Sequence, residues 1–140
     1  MPNNRKTKGK EMRHDETILQ RQIVCWLKIK GFLFTSTGAG LIKNKITQII
    51  MSASGYRKGT SDLIVFVPNG TICIEVKKPA QYRWSAKLKR MVVADAAGTQ
   101  SADQKEFERE VSSIAGHTYF VATTVNDVED YFREHNIVPR

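Results

Sequence analysis

The chain has only two cysteines in 140 residues and no apolar run near the ~18 residues that a bilayer span requires. Its polar start also lacks the apolar core of a secretory signal. Cys25 and Cys73 lie in a helical pattern and an apolar strand, which predicts buried thiols rather than a disulfide. We therefore expect a soluble cytoplasmic protein with no membrane partner.

Acidic residues are also scarce, with 14 Asp and Glu against 22 Lys and Arg, and the formal net charge is +8. This charge predicts a polyanionic partner, most simply nucleic acid, although basic tails and ribosome-type surfaces give the same value. The three histidines are scattered, and the lack of a His/Cys cluster argues against zinc. The length predicts one domain.

The strongest local signal is a β-hairpin. Two β-branched, apolar runs flank Pro68-Asn69-Gly70, and Asn-Gly is typical of a two-residue turn. With Asn69 and Gly70 as the loop, Val67 pairs with Ile72. Side chains alternate between faces, so this register gives one apolar face, which consists of Leu63, Val65, Val67, Ile72, Ile74 and Val76.

The opposite face of the hairpin carries Asp62, Glu75 and Lys77. The two carboxylates lie on a cross-strand diagonal. The backbones at these two positions are roughly 7–8 Å apart and the side-chain tips are closer, which is a span that one divalent cation can bridge. Hard oxygen ligands favour Mg²⁺ or Mn²⁺, with the backbone carbonyl of Val76 as a third donor. Alternatively, these residues are an ordinary exposed cross-strand pair with a neighbouring glutamate, and the chain is a non-catalytic basic nucleic-acid-binding module.

The rest of the chain predicts helices and strands around this hairpin. The segments are a helix over 15–30, a strand over 31–37, a helix over 43–53 with Ile46, Ile49 and Ile50 inward, a helix over 101–115, a strand over 117–122 and a helix capped at 124. This order predicts an α/β sandwich with a mixed central sheet and flanking helices. We expect one domain over 14–140, preceded by a disordered basic tail over 1–13.

Two polar residues in the helices have competing interpretations. Glu16 shares a stripe with Leu19, Gln20, Ile23 and Leu27, so it points with the core face, although an acid there can simply complement a helix N-terminus. Gln104 stands three residues after Ser101, the spacing of a capping box, which gives it a structural role.

The pair Ser61-Asp62 and Glu75-Val76-Lys77 resembles the PD-(D/E)XK nuclease signature, with Ser61 in place of the usual proline. The preceding Arg57-Lys58-Gly59 makes the chain similar to VRR-NUC domains of the stand-alone phage or bacterial type. The resemblance implies a restriction-endonuclease-like fold in the cytoplasm of a bacterial or phage-infected cell. It also implies catalytic roles for Glu16, Asp62, Glu75, Lys77 and Gln104, with Asp62, Glu75 and the Val76 carbonyl holding Mg²⁺ or Mn²⁺.

The segment 80–98 looks like an insertion into that pattern. Its basic residues alternate with aromatic ones, which predicts phosphate contacts and base stacking, and the expected DNA-binding set is Arg57, Lys58, Arg83, Trp84, Lys87, Lys89 and Arg90. The alternative is a small packed helix or a dimer contact, formed by Trp84, Leu88, Met91 and Val92.

Together these patterns predict a metal-dependent DNA endonuclease. The short chain leaves little room for a sequence-reading domain, so we expect recognition of DNA shape, at a four-way junction or another branch. One site cuts one strand, and paired cuts require two copies, which with the resemblance predicts a homodimer.

Overall fold

The computed structural model describes residues 5–38 and 44–139, with side chains in the first helix from Asp15 onward. The elements, in chain order, are α1 (Arg5–Lys30), β1 (Leu33–Ser36), α2 (Lys45–Ala53), β2 (Leu63–Val67), β3 (Gly70–Val76), β4 (Gln81–Ser85), β5 (Arg90–Asp95), α3 (Ala102–Ser112), β6 (His117–Ala122) and α4 (Val125–Glu134).

Four strands form one mixed sheet in the order β1-β2-β3-β6. The first three are antiparallel neighbours, whereas β3 and β6 run parallel. A parallel pair needs a crossover connection, which here contains β4, β5 and α3. The predicted α/β class with a mixed sheet and flanking helices is therefore confirmed at this level.

The hairpin forms, but its turn is Pro68-Asn69 rather than Asn69-Gly70, because Val67 pairs with Gly70. Proline is favoured at the second position of a four-residue turn, where its φ is already fixed, and glycine at the fourth. Gly70 also packs so close to the chain that a Cβ there would lie 1.5 Å from the carbonyl oxygen of Gly116. The register differs from the predicted one by two residues, which keeps every side chain on its predicted face.

The apolar face of β2 and β3 forms the core with α1 and α4. Leu19, Ile23 and Leu27 of α1 are buried, as the predicted stripe requires, and Val128 and Phe132 of α4 are buried beside them. The ring of Phe132 meets those of Phe32 and Trp26 edge-on, with centroids 4.9 and 5.4 Å away. The core therefore fixes α1, and with it Glu16, against the sheet.

Helix α1 begins ten residues before its predicted start, so it overlaps the tail predicted over 1–13, of which residues 1–4 lie outside the described part. Lys, Arg, Glu and Met propagate a helix well once a packed turn has nucleated it. The predicted burial of Cys25 is wrong, because its side chain lies on the outer face of α1. Cys73 is buried as expected, and both thiols are free.

Helix α2 begins after Asn44, whose side chain accepts a hydrogen bond of 2.6 Å from the backbone N–H of Thr47, while Lys43 lies outside the described residues. The predicted inward orientation of its isoleucines is wrong: Ile46, Ile49 and Ile50 are 72, 63 and 60% exposed. Amphipathic spacing fixes which side chains share a face, but not whether another element covers that face.

The segment predicted as an insertion folds as a second hairpin, β4–β5, and not as a packed helix. In the described residues its two strands contact no other helix or strand. Also within that part of the chain, no helix has the length and apolarity needed to cross a membrane.

Candidate active site

The chemistry predicted from the hairpin lies where β2 begins and β3 ends. The observed register pairs Leu63 with Ile74, so one further step sets Asp62 opposite Glu75 instead of on a diagonal. Asp62 Oδ2 accepts a hydrogen bond of 2.8 Å from the backbone N–H of Val76. The backbone carbonyl of Asp62 accepts one of 3.0 Å from the N–H of Thr37, just after β1. Two neighbouring strands therefore hold Asp62 in place.

Glu75 is almost fully buried, with 2% of its surface exposed. Its Oε1 accepts a hydrogen bond from Nε2 of Gln104 and lies 3.3 Å from Nζ of Lys77. Its Oε2 is buried and has no hydrogen-bond partner. A buried, unsatisfied carboxylate oxygen costs free energy, so its retention indicates a partner that is not a protein group.

The electrostatics of the site reflect an excess of negative charge. Burial, and then repulsion by Asp62, raise the pKa of Glu75 to about 8, although the ammonium group of Lys77 opposes the rise. Burial also raises the pKa of Asp62, against the opposing effects of the Val76 N–H and of Lys77. A cation bound between the two carboxylates would reverse both effects.

The residues present fit a divalent cation with hard oxygen ligands. Two adjacent carboxylates, one with an unpartnered oxygen, provide anionic donors, and the Val76 carbonyl belongs to the same strand end. In the ranges 5–38 and 44–139, no three His, Cys, Asp or Glu side chains are grouped as a metal site. The predicted set needs only two such side chains, and water or a phosphate oxygen can supply the remaining positions, as is usual for Mg²⁺.

Glu16 also reaches this edge of the sheet. Its Oε1 accepts a hydrogen bond of 3.4 Å from the backbone N–H of Lys78, and its charge contributes to the raised pKa values of Asp62 and Glu75. Helix α1 starts at Arg5, about three turns earlier. Glu16 is therefore too far inside the helix to complement its N-terminus, and that alternative is excluded.

Gln104 combines the two roles that its position suggested. Its side-chain oxygen accepts a hydrogen bond of 2.9 Å from the backbone N–H of Ser101, and the Ser101 hydroxyl accepts one of 3.2 Å from the N–H of Gln104. This is the predicted capping box. The side-chain nitrogen of Gln104 meanwhile donates to Glu75, so the start of α3 is tied to the site.

The basic approach to Asp62 is held by acids on α3. Arg57 forms an ion pair with Glu110, and Lys58 Nζ lies 3.3 Å from Asp103 Oδ2. Between them and the sheet, Gly59 adopts a φ of +91°, and a Cβ there would lie 2.4 Å from the backbone of Asp103. The side chains of Arg57 and Lys58 are 46 and 78% exposed, so a phosphate can reach them. It would have to compete with the acids that already pair with them.

The remaining predicted DNA contacts lie on the β4–β5 hairpin, whose strands contact no other helix or strand of the described residues. Arg83 and Trp84 are on β4, Lys87 and Lys89 are in the turn, and Arg90 begins β5; all five are exposed. The structure therefore brings together Glu16, Asp62, Glu75, Lys77 and Gln104, and it places the basic hairpin outside that group.

Two residues of the site were not predicted from the sequence. The pKa of Tyr56 is raised by its partial burial and by the charges of Glu75 and Asp62, so this phenol lies within the electrostatic reach of both carboxylates. Lys78 is 2% exposed and forms an ion pair with Asp95. Strand alternation continued past Val76 could have suggested that position 78 is buried. The sequence gives no sign, however, that Lys78 pairs with Asp95, which is 17 residues away.

Comparison of the chain with protein-family models, with curated proteins and with solved structures gave no match.

Proposed function

We propose that the protein is a Mg²⁺- or Mn²⁺-dependent deoxyribonuclease of the PD-(D/E)XK type, a VRR-NUC-like domain with a restriction-endonuclease-like fold. The observation that carries the proposal is the position of Asp62 opposite Glu75 at one strand end, where Oε2 of Glu75 is buried without a partner and Oε1 lies 3.3 Å from Nζ of Lys77. A solvated cross-strand decoration would not bury a carboxylate oxygen without a partner.

In this function, Asp62, Glu75 and the Val76 carbonyl hold the cation. When bound, the cation activates water and balances the charge that develops on the phosphate. Lys77 is 13% exposed and is fixed by Glu75, so its ammonium group is oriented at the mouth of the site. From there Lys77 binds a phosphate oxygen or the attacking water and stabilises negative charge in the transition state.

Gln104 and Glu16 act on the same groups from two sides. Gln104 fixes the orientation of Glu75 through its side-chain nitrogen. Glu16 accepts from the Lys78 N–H and keeps the end of β3 against α1. Tyr56 adds a phenol that can donate a hydrogen bond to a phosphate oxygen, since a tyrosine is protonated at neutral pH and its partial burial and the charges of Glu75 and Asp62 raise its pKa further.

The proposed substrate is branched DNA, such as a four-way junction, cut by a homodimer. The net charge of +8 suits a nucleic acid, and paired cuts from a single site need two copies about a twofold axis. Ile46, Ile49 and Ile50 offer one apolar face of α2 for this contact.

The test is cleavage of labelled duplex, flap and four-way DNA with magnesium. We expect Asp62→Ala, Glu75→Ala and Lys77→Ala each to abolish cleavage and to leave DNA binding largely intact. Asp130→Ala, which removes an exposed carboxylate of α4, is the matched control and should cut normally. Full cleavage by Asp62→Ala or Lys77→Ala would refute the assignment, and binding without cleavage under any metal would support the non-catalytic module.

The dimer and the branch preference have their own measurement. Light scattering with and without DNA should give twice the chain mass, and a junction should be cut faster than linear duplex. A monomer at micromolar concentration that cuts both substrates equally fast would remove this half of the proposal and leave the metal site standing.

A further inference from the structure

The β4–β5 hairpin has one face that consists of exposed aromatic and apolar side chains. Its register pairs Tyr82 with Val93 and Trp84 with Met91, so these four side chains project from the same side. They are 62, 57, 61 and 56% exposed, respectively. An exposed two-stranded hairpin with such a face is unusual unless something covers it, because water gives these side chains no favourable contact.

Apart from Asp95 at the end of β5, which forms an ion pair with Lys78, the charged residues of the same hairpin are all basic. Between residues 81 and 93 there are four basic residues and no Asp or Glu, and the basic residues are Arg83, Lys87, Lys89 and Arg90. All four are exposed. Arg83 lies on the face opposite the aromatic residues, and the two lysines lie in the turn. A polyanion would therefore be attracted from several sides to a surface whose centre is apolar.

The base of the hairpin is fixed next to the carboxylates. The ammonium group of Lys78, which is 3% exposed, forms an ion pair with Asp95 at the end of β5. The carbonyl of Lys78 accepts a hydrogen bond of 2.9 Å from the N–H of Gly98. Lys78 directly follows Lys77 and donates its N–H to Glu16. Both ends of the hairpin are thus attached to the strand end that carries the proposed active site.

We infer that this hairpin binds unpaired nucleotides of the DNA substrate, with bases stacked on Trp84 and Tyr82 and the backbone held by the four basic side chains. This inference deepens the proposed function and rests on it for the identity of the polymer. Aromatic side chains beside a basic track are the usual means of binding single strands without reading sequence. A closed duplex shows only base edges, sugars and phosphates, so it cannot offer a π-face to Trp84.

A second copy of the chain is a poorer occupant of this face. A twofold contact would bring two such hairpins together, and the one acid of each, Asp95, already forms an ion pair with Lys78 of its own chain, so the four basic residues of each hairpin would meet like charges. An unpaired strand supplies both a negative backbone and apolar base faces. Among branched DNA substrates, a flap carries such an unpaired strand next to its branch, which connects the hairpin to the proposed substrate class.

The test uses the fluorescence of Trp84 and needs no metal. The chain has two tryptophans, and Trp26 packs in the core against Phe32 and Phe132, so Trp26→Phe leaves Trp84 as the reporter. In EDTA and low salt, a 12-nucleotide oligo(dT) should quench this emission. A 12-base-pair duplex should quench it clearly less at equal phosphate concentration.

Two substitutions at the same position separate stacking from apolar contact. Because these variants lack the reporter, their affinity is measured by the fluorescence anisotropy of a labelled oligo(dT). Trp84→Leu keeps an apolar side chain without a π-face and should weaken oligo(dT) binding roughly 5- to 100-fold, the range expected for losing one stacked base. Trp84→Phe keeps a π-face and should stay within a few-fold of the unaltered chain. Trp84 is well exposed, so neither change should move the thermal unfolding midpoint, which verifies that both variants are folded.

The outcomes distinguish this inference from the proposed function. Equal oligo(dT) affinity for Trp84→Leu and Trp84→Phe would overturn the inference, while magnesium-dependent cleavage that requires Asp62 would leave the function intact. Equal quenching by duplex and oligo(dT) would also overturn it, as would loss of self-association in Trp84→Leu, which assigns the face to a second copy. Selective quenching without cleavage under any metal would support the hairpin's role and refute the nuclease.

Discussion

The buried carboxylate of Glu75 should make the metal-free protein less stable as pH rises. In the folded protein burial and Asp62 raise its pKa from 4.5 to about 8, so between these values the folded state holds a proton that the unfolded state has released. Stability falls with pH wherever the folded state binds more protons. At about 1.36 kcal/mol per unit, the whole shift corresponds to roughly 5 kcal/mol. The raised pKa of Asp62 acts in the same direction.

The measurement is urea unfolding in EDTA at several pH values between 5 and 8. We expect the free energy of unfolding to decrease by several kcal/mol across this window, and Glu75→Gln to flatten the decrease. The glutamine keeps an oxygen that can accept the hydrogen bond from Gln104, so the local contact survives. Added Mg²⁺ should restore stability at pH 8 more than at pH 6, because the cation competes with the proton for the same carboxylate.

A matched control separates this effect from general titration. Arg109 holds the pKa of the exposed Glu106 below its usual range, so this group stays ionised in both states above pH 5. Glu106→Gln should therefore leave the slope unchanged. A free energy of unfolding that is flat or rises from pH 5 to 8, or that shows the same slope after Glu75→Gln, would refute the reasoning about an unpartnered buried carboxylate.

Two further predictions concern the basic segments. Gly59→Ala should destabilise the fold by more than about 2 kcal/mol in urea unfolding, because the residue has a positive φ and its Cβ would also clash with the backbone of α3. Gly55→Ala should cost only about 1–2 kcal/mol, because Gly55 has a positive φ but open space around it. Comparable losses at both positions would contradict the close contact. Neutralising Lys87, Lys89 and Arg90 together should flatten the log–log salt dependence of duplex binding by up to ~0.9 per lost phosphate contact, as measured by fluorescence anisotropy. An unchanged slope would show that these residues do not contact the phosphates of duplex DNA.

The face of the hairpin that carries the two carboxylates could be predicted from the sequence, because strand alternation is unchanged by an error of two residues in the register. The turn was misplaced, yet Asp62, Glu75 and Lys77 still lie on one face, since the side-chain period of a strand is two. The capping role of Gln104 could also be predicted, because a capping box has a fixed spacing in the sequence. These are local rules, and the residues concerned obey them.

The predictions that were wrong concern features that depend on contacts with other parts of the chain. The isoleucines of α2 have the spacing of a core face, but no described element covers them. Cys25 sits in an amphipathic helix on the side that the sheet leaves open. The 80–98 segment has strand-like residues interrupted by basic ones, and only the pairing of its two halves shows that it is a hairpin. Such features are set by tertiary contacts, which the periodicity of apolar residues in the sequence does not reveal.

The two hydrogen bonds of the Gln104 side chain cannot both be made by any other residue type at this position. The oxygen serves the helix start and the nitrogen serves Glu75, so an amide is needed and its orientation is fixed. A glutamate at 104 would preserve the cap and set two carboxylates against each other, while a leucine would remove both contacts. The cap of α3 and the environment of Glu75 therefore constrain this position together. A substitution that keeps the helix start and alters the surroundings of Glu75 has to change the charge of residue 104 and not its shape.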